Sequence, residues 1–424
     1  MPTTNSSPED ESDDERPPAR PAPPWLYGVV TIPFGVAAGF AQFAMPFLLR
    51  RVGVSMEEIS KYAALCLIPA SYQFFWAPII DLGPRRKHWL LIMSALGAVC
   101  LFGALLLPLP TSLPTFIKLV VAAQVFTGLV GSCSGGLMAT TLPNEMRGRA
   151  GGWSNAGNLG GAALGGGVVM WFSRTMAPHL LGLITALMVF LPALGVLAIE
   201  EHARVKRKIK DVFGGVLGSI WKTLASRAGL TGILICISPV GTAALLGLFS
   251  GMGPDYHASD TVVTFVTGFA GGLVTASGSL IGGYFCDRIP RRVAYLVSGG
   301  LTAICGLTMS FFPLTEQTFI YGATVYLFIS GFCYASFSAL VLEVVGKAGA
   351  SASTQYTLFT AAGNQAIAYT TWIDGLGSAR WGTPGLLRTD ALANVVGIAF
   401  LAIVMTLIAR YRRTSPSAPA ASAR

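Results

Sequence analysis

Charged side chains are scarce in this sequence. Asp, Glu, Lys and Arg make up 12% of the 424 residues, whereas soluble domains carry about 25%. The chain is 53% hydrophobic, with a mean hydropathy of +0.61. This composition excludes an ordinary soluble globular protein. The formal charge of +9 forms no basic stripe along the chain, so we expect no nucleic-acid partner.

Residues that carry chemistry are also few. There are four His, and the seven Cys lie in or at the ends of apolar runs without the spacing of a metal or redox motif. No Asp, Glu or His falls near the middle of an apolar run, and nucleophiles do not cluster with acid/base groups. We therefore predict no enzyme activity, no metal site and no cofactor. The acidic, Pro-rich N-terminus lacks the basic start of a secretory signal peptide.

Long apolar runs dominate what is present. A helix of about 20 apolar residues crosses a bilayer, and the chain contains twelve runs of suitable length. The sequence predicts an all-α membrane protein in which a six-helix bundle, 25–199, is joined by a basic linker, 200–227, to a second bundle, 228–410. The polar ends, 1–24 and 411–424, are expected to be disordered or mobile. The predicted spans 1 to 12 are 25–49, 59–80, 88–108, 115–142, 150–172, 178–199, 228–251, 261–286, 293–312, 317–345, 353–373 and 389–410.

The distribution of basic residues predicts the orientation in the lipid bilayer. With both termini inside, the inside segments hold 22 of the 29 Lys and Arg residues. Cytoplasmic loops of membrane proteins carry such an excess. We therefore expect a multi-pass protein of the cytoplasmic (inner) membrane with both termini and the linker in the cytoplasm.

A short polar hinge occurs twice, at the same point of each bundle. Asp81 to Arg86 and Asp287 to Arg292 both read Asp-x-x-Pro-Arg-Arg, and their positions differ by 206. The same offset relates Pro33 to Pro239 in spans 1 and 7, and Asn158 to Asn364 in spans 5 and 11. Three matches in one register predict two pseudo-symmetric halves related by an axis along the membrane normal.

The hinges suggest a gate on the cytoplasmic side. Pro blocks helix continuation, and paired Arg side chains can fork onto carboxylates of other helices. The alternative is that the basic residues only fix topology. The predicted latch consists of Asp81, Arg85 and Arg86, of Asp287, Arg291 and Arg292, and of the acceptors Glu145 and Glu343.

The hinge resembles the loop 2–3 signature of the major facilitator superfamily, usually Gly-x-x-x-Asp-Arg-x-Gly-Arg-Arg. Within that superfamily the chain is most similar to the AmpG-type muropeptide permeases and the related acetyl-CoA transporters. The likeness rests on Met45 to Arg50, Phe75 to Asp81 and the run 142–148, which looks like that family's Leu-Pro-x-Glu-x-Arg-Gly. It implies a symporter or permease that imports an anhydromuropeptide, with siderophores or acetyl-CoA as alternative substrates. A non-transporting sensor or assembly protein on the same fold stays open.

Polar side chains inside the spans are the candidates for binding a small polar solute, because they are costly in lipid and usually face a cavity or another helix. Hydrogen bonding between helices is the competing interpretation. No acid lies deep in a predicted span, so Glu343 is the candidate for coupling to protons, and a facilitator or exchanger is the alternative. We expect a monomer. The predicted solute-binding residues are Gln42, Gln73, Gln124, Asn158, Asn364 and Gln365.

Overall fold

The computed structural model describes residues 21–76, 79–80, 84–201, 209–286, 288–345 and 352–414, with some side chains inside these ranges left undescribed. Throughout these ranges the regular structure is helical, in agreement with the predicted all-α fold. Eight of the described helices are long and apolar enough to cross a membrane by themselves. One of the eight holds both span 11 and span 12; of the remaining predicted spans, span 5 is a single helix of 29 residues, and spans 2 and 7 are interrupted.

The first half follows the predicted order of six spans. Span 1 is bent, because the α-helix Pro24–Gly39 passes through a π-helical turn, Phe40–Ala44, into Met45–Arg51. Spans 2 to 6 are Met56–Ser71 with Gln73–Trp76, Arg86–Leu106, Leu113–Thr141, Asn144–Phe172, and Pro178–Ala193 extended by a 3-10 turn, Leu194–Ala198.

The second half follows a linker helix, Ile209–Ala225, and repeats the order with two irregular spans. Span 7 is Arg227–Cys236 followed, after a break, by the short helices Ala244–Gly247, Phe249–Met252 and Gly253–Tyr256. Span 8 contains a π-helical turn, Thr264–Phe269, between Asp260–Val263 and Ala270–Cys286. Spans 9 and 10 are Arg291–Met309 and Glu316–Val345, and spans 11 and 12 lie in Ala352–Thr414.

Backbone groups freed by the break in span 7 have hydrogen-bond partners. Gly241 and Ala243 have positive φ values of 61° and 52°, so the backbone leaves the helical conformation there. Side chains bind the freed backbone groups: Asn394 Oδ1 accepts from Gly241 N–H at 2.9 Å, and Tyr295 donates to the Val240 carbonyl at 2.6 Å. Unwound backbone inside a membrane protein is tolerated only with such partners or beside a cavity.

Spans 11 and 12 meet at a sharp corner. Gly382 has a φ of 64°, and Pro384 follows it. Span 12 therefore begins a turn and a half before the predicted residue 389, and Asp390 lies within the helix instead of at its start. The corner fits the repeat, because Pro178 at the start of span 6 and Pro384 also differ by 206.

The backbones of spans 1 and 5 are in close contact at glycine residues. A Cβ on Gly35 would collide with the carbonyl oxygen of Asn158, and one on Gly157 with the carbonyl oxygen of Gly28. Close backbone approach of this kind requires small residues. Gly161 and Gly165 likewise face the backbone of span 1, as expected for a glycine-rich helix contact.

Candidate functional site

Two opposite faces of the bundle carry charge. We call the face with Arg85 and Arg291 the hinge face, and the opposite face with Arg50 and Asp255 the distal face. The two halves meet near the distal face, where one apolar cluster includes Met45 and Met56 of the first half and Leu245 and Phe249 of the second.

Ion pairs join the halves at the distal face. Arg50, at the end of span 1, pairs with Asp255 of span 7, whose second oxygen accepts from Thr383 at 2.6 Å. Asp260, at the start of span 8, lies 2.9 Å from Arg174 and 3.7 Å from Arg51. Two carboxylates of the second half are thus held by three arginines of the first half. We call these five charged residues the distal cluster.

The described polar contacts of Arg86 and Arg291 stay inside their own halves, although span 2 and span 11 also meet towards this face, at Tyr72 and Gln365. Arg86 donates to the Gly136 carbonyl at 2.9 Å and to Thr140 at 3.2 Å, both on span 4. Arg291 donates to the Ala339 carbonyl at 3.4 Å and lies 4.0 Å from Glu343, both on span 10. Each hinge arginine therefore reaches the fourth span of its own bundle.

Glu201 caps the start of span 3. Its carboxylate accepts from the backbone N–H groups of Arg86 and Lys87 at 2.9 and 3.1 Å, an arrangement that the helix dipole favours. Arg85 and Arg292 are exposed. Asp81 and Asp287 lie outside the described residues, as does the side chain of Glu145, so the predicted latch is described only in part.

Aromatic side chains near the hinge face are open to solvent or lipid. Tyr72, Trp153 and Tyr284 are exposed there. Trp171 and Phe269, which contact each other edge to face across spans 5 and 8 at 6.2 Å, are exposed as well. Aromatic exposure therefore does not distinguish the two faces, whereas the described ion pairs between the halves lie on the distal face.

A pocket of about 180 Å³ lies beside the break in span 7. We call it the span-7 pocket. Gly241 and Thr242 line it together with Tyr334 of span 10 and Asn364 of span 11. Tyr334 is 37% exposed although it sits within a long span, and its hydroxyl lies close to the side chain of Gln42 in span 1. Gln42 itself lies in the π-helical turn, a feature frequent at functional sites.

Two carboxyl groups are buried in the second half. Asp374 of span 11 and Asp390 of span 12 are both 0% exposed. Each lies eight residues from Gly382, or about 12 Å along its helix from the corner. Tyr326 donates to Asp390 at 3.2 Å. The side chains that the structure describes supply no Lys or Arg partner to either carboxyl.

Comparison with known proteins identifies the family. The sequence model described as Major Facilitator Superfamily matches residues 27–369, which is most of the chain. The chain belongs to the Major Facilitator Superfamily. Its family and fold are those of membrane transporters, not of enzymes.

Solved structures of transporters share the facilitator fold of this chain. A bacterial homologue of the human lysosomal transporter Spinster, in an inward-facing and unoccupied conformation, matches with a TM-score of 0.61 and 15% identity, over 93% of this chain and 98% of that one. A variant of the nucleoside transporter NupG matches at 0.66 and 13%, over 89% and 98%. A D-xylose–proton symporter matches at 0.67 and 13%, over 89% and 96%. At these identities the likeness concerns the fold alone.

The predicted solute-binding residues of this facilitator separate into two groups. Gln42 and Asn364 are brought together around Tyr334 and the span-7 pocket. Gln73 donates to the Gly128 carbonyl at 2.8 Å and to Ser132 at 2.6 Å, and Gln124 donates to the Ala37 carbonyl at 2.7 Å. These two amides therefore connect helices inside the first half.

The other two predicted residues lie at helix contacts. Asn158 is half-buried where span 5 meets span 1. Gln365 borders a cavity of about 150 Å³ with Ser71 and Tyr72 of span 2. Its Oε1 is buried, and the residues that the structure describes give it no hydrogen-bond donor.

The distal cluster and the buried carboxyl pair were not among the predicted site residues. Arg50 and Asp255 belong to different halves and are not related by the 206 offset, so the repeat gives no signal for them. Asp390 lay at the predicted edge of span 12, where a charged residue is ordinary. The match of Pro384 to Pro178, the start of span 6, is the sequence signal that would have placed the start of span 12 earlier and Asp390 inside the span.

Proposed function

We propose that this facilitator is a secondary active transporter that moves a small polar solute across the cytoplasmic membrane by alternating access. The observation that carries the proposal is the distal cluster, which joins the two halves by ion pairs on one face, while Arg86 and Arg291 on the hinge face bind groups of their own half. In each of its two states, a transporter with a central solute site has its halves in contact on one side of that site and apart on the other. The hinge face is the cytoplasmic one by the distribution of basic residues.

In this proposal the solute contacts the span-7 pocket. Thr242, Tyr334 and Asn364 offer hydroxyl and amide groups, and Gln42 contributes from the first half. A rocking motion that separates the halves would pull Gln42 away from Tyr334. The pocket therefore changes its lining between the two states, as a solute site must.

The size of the pocket restricts the class of solute that it encloses. Its 180 Å³ is below the roughly 300–1,000 Å³ of sites that enclose drug-sized ligands. We therefore propose that the pocket binds only one polar group of the solute, such as part of a sugar. A muropeptide-like compound remains the proposed substrate class, with the rest of the molecule in the space between the halves, and a siderophore and acetyl-CoA are the alternatives.

The polar lining favours transport over a pure sensor or scaffold. A protein that only transmits a signal or assembles others has no need of unwound backbone beside a pocket between its helices, and apolar side chains could fill that space. Discontinuous transmembrane helices are characteristic of substrate sites in transporters. Span 7 has this form at Gly241.

Solute counterflow in proteoliposomes tests the proposal. Vesicles are preloaded with an unlabelled compound, and uptake of the same labelled compound is followed for an anhydromuropeptide, a siderophore, acetyl-CoA, a nucleoside and D-xylose. We expect counterflow for one class and its loss in Asn364→Leu. The matched control is Asn155→Leu, an exposed polar residue of span 5, which should transport normally. Absence of counterflow for every compound, in vesicles whose protein is folded, would refute the proposed function.

A further inference from the structure

Four buried oxygen atoms lack donors near the corner of spans 11 and 12. Both carboxyl oxygens of Asp374 and Oδ1 of Asp390 have no hydrogen-bond partner among the residues that the structure describes, and the same is true of Thr370 Oγ1. All three residues are 0% exposed. Thr370 is one turn before Asp374, so the two side chains share a helix face. The three carboxyl oxygens are acceptors without a donor, and the Thr370 hydroxyl, which can donate or accept, is also unpaired among the described residues.

Charged neighbours do not neutralise this pair within the described part of the chain. Arg388 donates to Ser310 at 3.3 Å and lies over the ring of Phe311. Lys61 of span 2 pairs with Glu57 at 2.9 Å. The titratable or charged groups on the elements packed around the pair are Cys305 of span 9, Tyr326 and Cys333 of span 10, Glu57 and Lys61 of span 2, Asp255 and Tyr256 of span 7, and Arg388 of span 12.

A proton resolves this arrangement. The two carboxyl groups are fully buried at the same distance from Gly382, on the two helices that meet there. Two buried carboxylates without a counter-charge repel each other and are strongly disfavoured, whereas two carboxyls that share a site hold one proton readily. The unpartnered oxygens then gain the donor that they lack.

The pair is not a requirement of the fold. By the 206 offset, Asp374, Asp390 and Tyr326 correspond to Val168, Ile184 and Val120 of the first half. The same architecture is therefore built there with apolar side chains. The acidic residues occur in one half only, which is the expected pattern for a function and not for packing.

Two hydrogen-bonded links connect the pair to span 7. Tyr326 donates to Asp390 and its oxygen accepts from the Leu245 N–H at 3.4 Å, just after the break. Asn394, one turn beyond Asp390, donates to the Asp390 carbonyl at 3.0 Å and accepts from Gly241 N–H within the break. The Tyr326 hydroxyl thus connects the Asp390 carboxyl to Leu245, and Asn394 connects the Asp390 backbone to Gly241.

Span 7 contacts both the proposed solute site and the distal cluster. Its break lines the span-7 pocket, and its distal end carries Asp255, which pairs with Arg50. We propose that Asp374 and Asp390 form the proton-binding site of the transporter, and that Tyr326 and Asn394 couple its protonation to the unwound part of span 7. This inference rests on the proposed transport function and names its coupling ion.

Infrared spectroscopy tests the proton site without any solute. The protein in detergent is titrated with acid and base, and the carbonyl band of protonated carboxylic acid is followed. At neutral pH, where exposed carboxyl groups are ionised, we expect a protonated-acid band that disappears on addition of base, is lost in Asp374→Asn/Asp390→Asn and is kept in Glu343→Gln. A band that persists in the double variant, or disappears in Glu343→Gln, would overturn the assignment. Each single variant is measured as well, and far-ultraviolet circular dichroism and monodispersity establish that it is folded.

Coupling is tested in proteoliposomes with an internal pH dye and the solute identified by counterflow. Wild type should take up protons with solute, and Asp390→Asn should keep counterflow but lose the proton signal. Tyr326→Phe should keep the infrared band and weaken solute-driven proton uptake, because the ring stays and the hydroxyl link is lost. Uptake driven by a sodium gradient and indifferent to pH would overturn the proposal. Failure of counterflow in wild type would instead count against the transport function. The proton site would still be tested by infrared spectroscopy, which needs no solute.

Discussion

Arg50→Ala should shift the protein towards a state that is open on the distal face. The Arg50–Asp255 pair joins the halves and its side chains are 24% and 20% exposed. Exposed ion pairs contribute about 0–1 kcal/mol, and breaking a buried pair costs about 3–5 kcal/mol. Asp255 keeps Thr383 as a donor, so we place the effect at about 1–2 kcal/mol, or a factor of about 5–30 in the population ratio.

Distances between spin labels on the distal face provide the assay. Labels at Thr111→Cys, in the loop before span 4, and at Gln317→Cys, in the first turn of span 10, are both exposed and report the separation of the two halves in a background without the native cysteines. Double electron–electron resonance should show a larger long-distance fraction in Arg50→Ala. Arg50→Lys should lie between the two, because an ammonium replaces the guanidinium fork.

A matched ion pair within one half provides the control. Lys61 and Glu57 pair at 2.9 Å on span 2, so Lys61→Ala removes a distal charge without touching the contact between halves and should leave the distances unchanged. A double-mutant cycle of Arg50→Ala with Asp255→Ala isolates the pairwise energy. Unchanged distances in Arg50→Ala, or the same change in Lys61→Ala, would refute a gating role for the pair.

Two further predictions concern stability and the second pair of the gate. Gly35→Ala places a methyl group against the Asn158 carbonyl and should lower the free energy of unfolding by about 1–3 kcal/mol, the cost of overpacking. Gly160→Ala, with open space around it, should leave the stability unchanged. Equal melting temperatures for the Gly35→Ala variant and wild type would contradict the close contact of spans 1 and 5. Asp260→Asn removes the partner of Arg174 and Arg51 and should shift the distal distances in the same direction as Arg50→Ala; an unchanged distribution would confine the gate to Arg50 and Asp255.

The sequence predicted the all-helical fold and the division into halves because apolar runs and the 206 offset are local and countable. It did not predict the different conformations of spans 1 and 7. Pro33 and Pro239 match, yet span 1 remains helical there while span 7 unwinds. The difference lies in the partner: Asn394 binds Gly241 N–H, and Met188 at the matching position of the first half offers no such acceptor.

The candidate site was predicted in part for a similar reason. Gln42 and Asn364 were recognisable as polar residues within apolar spans, and they lie at or beside the span-7 pocket. Gln73 and Gln124 carry the same sequence signal but bind backbone carbonyls of their own half. Only tertiary packing distinguishes the two cases. The pairing of Asp374 with Asp390 depends on the corner at Gly382, which the apolar pattern does not encode.

A reversible lock on the distal face tests alternating access most directly. Cysteines replace Arg50 and Asp255 in a background without the native cysteines, and a short bis-methanethiosulfonate reagent joins them in proteoliposomes. We expect counterflow of the identified solute to stop on cross-linking and to return when a reductant releases the reagent. Counterflow that continues at full rate through the cross-linked protein would contradict alternating access between these two halves.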